Sequence, residues 1–166
     1  MTAISTESFR KALSHFATGV TVITVDHGDG QVHGMTANAF ASVSLDPLLV
    51  LVCISRSART HGFVHLQKRF GINVLGEQQE EWARYFTQVE QDAQTGRSLG
   101  IKFSRTLQGT PMLQGSLAHL DCKLVEAHEA GDHTIFLGSV EQIETREGEP
   151  LLFYQGKYRK FPKEES

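Results

Sequence analysis

The sequence predicts a mainly β fold with a few peripheral helices, an α+β chain built as an antiparallel barrel or sandwich. Three observations predict it. Apolar and β-branched runs of strand length follow one another at Val20–Val25, Leu48–Ile54, Phe70–Leu75 and Thr134–Val140. Helical periodicity is confined to three stretches, near 7–17, 58–67 and 78–89. The 166 residues show no internal repeat and no linker, so residues 1–166 read as a single domain.

Glu7 to Ala17 places Phe9, Ala12, Leu13 and Phe16 on one face, with Ser5 or Thr6 as cap and Gly19 as stop. Val20–Val25 alternates as a strand. His27-Gly28-Asp29-Gly30 is a turn, and Gln31 to Met35 returns as its hairpin partner. Gly34 to Pro47 is small, polar and turn-prone; Leu48–Ile54 behind it is a buried strand. A helix is expected from Ala58 to Gln67, a strand over Phe70–Leu75, and a helix from Gln78 to Val89. That last helix carries Trp82, Tyr85, Phe86 and Val89 on one side, as core or interface. Gln91 to Gly100 is loop or frayed helix, residues 102–105 have no clear assignment, and Gly109-Thr110-Pro111 is a break. Gly115 to Val125 is a long strand whose Ala118, Leu120, Cys122 and Leu124 are expected to face the core. Thr134–Val140 extends to Thr145, Glu147–Pro150 turns, and Leu151–Tyr154 ends the strands before a charged tail.

Composition removes several functions. A net charge of -3 gives no basic footprint for nucleic acid. No apolar run reaches membrane-spanning length, and the N-terminus lacks a signal core, so a cytoplasmic protein is expected. Cys53 and Cys122, far apart, read as free thiols, and Cys53 as a small core hydrophobe. No zinc motif, no Gly-x-Ser-x-Gly elbow and no dinucleotide-binding Gly-x-Gly-x-x-Gly is present.

Three clusters remain as candidates for chemistry. The small residues of Gly34–Pro47, with Thr36, Asn38, Ser42 and Ser44, suit the wall of a planar-heterocycle pocket or an ordinary strand corner. Ser55-Arg56-Ser57-Ala58-Arg59-Thr60 opens a helix, as a phosphate cradle or a solvated helix start. His133, after Gly131 and Asp132 at the mouth of a strand, is the best candidate to stack on, bond to or exchange a proton with a substrate; the plain alternative is a loop histidine. His128 and His133 stand five residues apart, an odd offset that argues against a shared metal on a continuous strand.

Six stretches in order resemble the short-chain flavin reductases of the flavin reductase-like family. They are Phe16-Ala17-Thr18-Gly19-Val20, Gly34 to Phe40, Ser42 to Pro47, Phe70 to Leu75, Pro111-x-Leu113-x-Gly115, and Gly131 to Gly138. The resemblance implies an FMN-binding split β-barrel of antiparallel Greek-key type, acting as a homodimer. It implies reduction of free FMN or FAD by NADH or NADPH, the reduced flavin passing to a separate flavin-dependent monooxygenase of the aromatic hydroxylase type. By the same resemblance Thr36, Ala37, Asn38 and Ala39 line the isoalloxazine, with Cys53 and Ile54 close to its ring. Ser55, Ser57, Arg59 and Thr60 hold the ribityl phosphate, and Phe70 and Gly71 lie near the rest of the flavin. Lys102-Phe103 stands where relatives carry Arg-Phe, at a second phosphate contact, and Ala39 where they carry serine. Gly131, Asp132 and His133 meet the nicotinamide, His133 as the candidate catalytic residue. The alternatives on the same scaffold are a flavin-binding electron carrier and a flavin- or haem-binding module without turnover.

Overall fold

The computed structural model describes residues 4–28 and 30–162. Asp29, within the expected His27–Gly30 turn, lies outside them. A short helix α1 (Thr6–Leu13) precedes strands β1 (Thr18–Gly19), β2 (Thr21–Asp26), β3 (Val32–Ala37), β4 (Phe40–Leu45) and β5 (Leu48–Ser55). Helix α2 (Arg59–Gln67) leads to β6 (Arg69–Val74), a 3₁₀ turn at Glu77–Gln79, α3 (Glu80–Tyr85) and α4 (Ala93–Ser98). Strands β7 (Phe103–Arg105), β8 (Pro111–Leu113), β9 (Ala118–Ala130), β10 (His133–Thr145), β11 (Leu152–Tyr154) and β12 (Lys157–Arg159) complete the chain.

Seven strands form one antiparallel sheet in the order β3-β2-β6-β9-β10-β5-β4. Small sheets β1-β11-β12 and β7-β8 flank it. The centre of the large sheet is covered on both faces. Ile23 and Val25 of β2 join Val52, Ile54, Phe70, Ile72, Phe136 and the α2 residue Val64 in one core. Val22 joins Leu75, Ala83, Phe86, Leu113 and Leu151 in a second. Both faces of β2 are buried, Thr21 and Thr24 included, and the run of β-branched residues is what makes Val20–Val25 so plainly legible.

Burial on both faces also extends to β9, beyond the one core-facing set expected of it. Leu120, Cys122 and Leu124 pack toward the first core, yet His119 and Asp121 are only 3% and 0% exposed. The β7–β8 hairpin and neighbouring strands supply their partners. Arg69 donates to Asp121 Oδ1 at 2.8 Å and Thr110 Oγ1 donates to the same oxygen at 2.7 Å. His119 Nδ1 lies 3.0 Å from Asn73 Oδ1. Period-two patterning cannot register a polar side chain buried with its partners.

Other differences have similar causes. Ser5 caps α1 by accepting from Ser8 N at 3.0 Å, but the helix ends at Leu13, and Phe9, Leu13 and Phe16 are 57%, 56% and 76% exposed. The stretch expected to turn at 34–47 contains β4, paired with β5 and bulged between Ser42 and Ser44. The helix expected to reach Val89 stops at Tyr85; Trp82, Tyr85 and Phe86 pack in the second core while Val89 is exposed. Residues 93–98 are helical, capped by Asp92 accepting from Thr95 N. The unassigned 103–105 pairs with 111–113. Lys157–Arg159 in the charged tail pairs with β11. The β9–β10 hairpin turns at Gly131 and Asp132, placing His133 opposite Ala130 and His128 opposite Ile135. Among the described residues no helix is long and apolar enough to cross a membrane.

Candidate functional site

The site begins at the free edge of β3. Segment 86–91 runs along that edge: Thr36 N donates to Phe86 O at 3.1 Å, and Gln91 Nε2 donates to Gly34 O at 2.5 Å. Gly34 makes this possible, since a Cβ there would stand 2.5 Å from the Phe86 ring. Between β3, this segment and the start of α2 opens a cleft of about 260 Å³. Thr36, Ser57, Arg59 and Thr60, four of the expected flavin-site residues, line it, joined by His33 and Gln91. A second hollow of about 190 Å³ shares Thr36 and Thr87 with it and adds Ala37, Asn38, Phe153 and Tyr158.

The start of α2 carries neither a side-chain cap nor an acid in its first turn, its N-cap residue being Ala58, which offers no side-chain oxygen. The amides of that turn therefore keep their positive end free of side-chain caps. Thr60 is fully buried, and its Oγ1 has no hydrogen-bond partner among the described residues. A buried hydroxyl left unpaired costs about 1–3 kcal/mol. Ser55 and Ser57 hydroxyls lie 2.9 Å apart. Phosphate oxygens fit this donor set, so the residues present suit a phosphorylated flavin.

The β9–β10 tip is carried to the same end of the sheet. Register sets His133 opposite Ser55 on β5, and Arg56 N donates to Asp132 O at 3.0 Å. His133 Nδ1 stands 2.8 Å from Asp132 Oδ1. A carboxylate only accepts, so Nδ1 carries the hydrogen of this bond. That hydrogen bond holds the Asp132 carboxyl below its ordinary range.

The remaining expected residues lie elsewhere. Cys53 is half-buried on β5, its N–H donating to Ala39 O at 2.9 Å; burial raises its thiol pKa and keeps it protonated. Ile54 and Phe70 are fully buried in the first core. Gly71 is closed off by Thr24 Oγ1 and the Pro111 carbonyl, which a Cβ would meet at 2.5 and 2.7 Å. Phe103 lines a different cleft of about 560 Å³, which shares Phe86 and Gln91 with the first; exposed Lys102 precedes it. His33, Phe153 and Tyr158 escaped the sequence reading. His33 directly precedes the Gly34–Phe40 motif, which was a usable signal; nothing local marks the two aromatics.

The description "Flavin reductase like domain" matches residues 13–162. The chain belongs to this family. The NADH-dependent flavin reductase of a Rhodococcus species is 43% identical over 152 residues, 90% of this chain and 83% of that one. The reductase subunit HsaB of a flavin-dependent monooxygenase from Rhodococcus jostii is 40% identical over 157 residues, 94% and 78% of the two chains. Among solved structures, the Streptomyces globisporus NADH:FAD oxidoreductase SgcE6, in complex with NAD and FAD fragments, superposes with a TM-score of 0.85 at 34% identity, covering 100% of each chain. For a flavin reductase-like domain, the small-residue wall at 36–38 and the donor set at 55–60 are the features to explain.

Proposed function

We propose that this chain is an NADH-dependent flavin reductase that reduces free FMN or FAD and delivers reduced flavin to a separate monooxygenase of the aromatic hydroxylase type. The observation that carries the reading is the orphaned Thr60 hydroxyl in a cleft that also holds Arg59, Ser57 and Thr36. The bound cofactors themselves supply hydride chemistry, from reduced nicotinamide to flavin. The protein's task is binding, orientation and exclusion of water.

In this reading Thr36, Ala37, Asn38 and Ala39 form the wall for the ring system. The wall is held rigid because Thr36 Oγ1 donates to Ala83 O at 2.7 Å and Thr21 Oγ1 donates to Ala37 O at 2.7 Å. Ser55, Ser57, Arg59, Thr60 and the first-turn amides of α2 hold the phosphate. Gly131, Asp132 and His133 receive the nicotinamide; Asp132 fixes the His133 ring by the 2.8 Å bond to Nδ1. No proton donor is required for a hydride passing between two conjugated rings, so His133 acts by stacking and orientation. The 166 residues work as one domain, with the large sheet and its flanking hairpins as a split, Greek-key barrel. Two copies form a cytoplasmic homodimer. The exposed face of α1, with Phe9 and Leu13, and Phe16 just beyond its end form apolar surface that such a dimer would cover. NADPH is the alternative electron donor. Oxidation of NADH and of NADPH, followed with FMN, FAD and riboflavin supplied in turn, tests the reading. Flavin-dependent turnover is expected; failure of all three flavins to support NADH oxidation would sink it.

A further inference from the structure

The first cleft also has a histidine, His33, in its lining. His33 lies on β3 beneath α2, 9% exposed. Its ring tilts against Phe63 at 5.3 Å; His27 packs on the same ring at 4.7 Å, and the Arg59 guanidinium lies 6.0 Å from its centre. None of the cleft's lining residues is Asp or Glu. Among the described residues nothing hydrogen-bonds the His33 ring, whereas its β3 neighbours Gly34 and Thr36 are tied to segment 83–91.

We propose that His33 is a specificity residue for phosphorylated flavin, closing the cradle from the sheet side and taking up a proton when a phosphate dianion seats at Arg59 and Thr60. This rests on the flavin reading above. Among the described residues the titratable groups facing His33 are Arg59 from α2 and His27 from the β2–β3 turn; segment 86–91 contributes to the cleft only uncharged Phe86, Thr87, Gln88, Val89 and Gln91. Burial first, then the Arg59 charge and the neighbouring His27, push His33 down to about 4, so its ring is neutral near pH 7. A phosphate ester brings roughly two negative charges, which outweighs Arg59 and favours the imidazolium. The bound state then holds more protons than the free one, so affinity for FMN gains from falling pH through His33. Riboflavin, lacking the phosphate, gives no such gain.

Imidazole NMR resonances tell the two apart. The His33 signal is identified by its loss in His33→Gln, or in His33→Asn if the first variant folds poorly. It is then followed across pH with FMN, with riboflavin and with neither. The titration midpoint is expected to rise by about 1–3 pH units with FMN and to stay in place with riboflavin. His33→Gln is expected to weaken FMN binding about tenfold, or about 1.4 kcal/mol, at pH 6 and to leave riboflavin binding unchanged. FMN binding, seen by quenching of its fluorescence, with an unmoved midpoint overturns the inference and leaves the flavin reading intact. Equal movement with riboflavin also overturns it. Absence of any flavin binding removes both.

Discussion

Two polar regions of this molecule differ in one respect. In the seam behind β6 and β9 the buried polar side chains are tied to one another, with Asp121 Oδ2 left without a partner among the described residues: Arg69 reaches Asp121 Oδ1, Glu141 and Thr110. Asn73 bonds Val22 O, Thr24 Oγ1, Leu113 N and His119. At the cleft Thr60 Oγ1 is buried without a partner among the described residues, and α2 starts without a side-chain cap. The seam holds strands together, and its groups were desolvated against one another. The cleft leaves donors unpaid for by the protein, which is what a binding site requires.

Breaking the seam should have the largest effect. Arg69→Ala leaves Asp121, whose side chain is 0% exposed, charged and without its main partner, and a loss of about 3–5 kcal/mol is expected in denaturant unfolding. Gly71→Ala comes next. The new Cβ meets the Pro111 carbonyl at 2.7 Å, backbone that cannot swing aside, so about 1–3 kcal/mol is expected from the same measurement. Thr60→Val inverts the pattern: the orphaned hydroxyl goes, shape is kept, and stability holds or rises slightly. FMN binding weakens about tenfold, while riboflavin binding is unchanged, as read by fluorescence quenching. Equal weakening for both flavins would place Thr60 outside the phosphate contact. The smallest change is His133→Ala, on an exposed hairpin tip, where fold and flavin binding stay intact. Half-saturation by NADH in stopped-flow flavin reduction rises several-fold, on the order of 1 kcal/mol. Unaltered NADH saturation would remove His133 from the nicotinamide site.

Legibility in the sequence followed the kind of burial. β2, β5 and β6 were readable because each is apolar enough to declare itself over six to eight residues. β4 was not, because Phe40-Ala41-Ser42-Val43-Ser44-Leu45 lies largely exposed at a sheet edge and carries a bulge. Phe9, Leu13 and Phe16 have helical spacing, but spacing alone does not say what covers them. Thr36, Ser57, Arg59 and Thr60 line one cleft, whereas Phe70 and Gly71 lie inside the sheet. Motif membership marks both kinds of residue alike.

By itself, the order of apolar runs, turns and small-residue motifs determined a β-rich chain and its family, since local propensity and patterning are properties of neighbours along the chain. Only the tertiary structure decided that His119 and Asp121 are buried with partners, that His33 joins Arg59 around one cleft, and that Thr60 is left unanswered there. Hydrogen-bond satisfaction is settled between residues tens of positions apart, and no local pattern carries it.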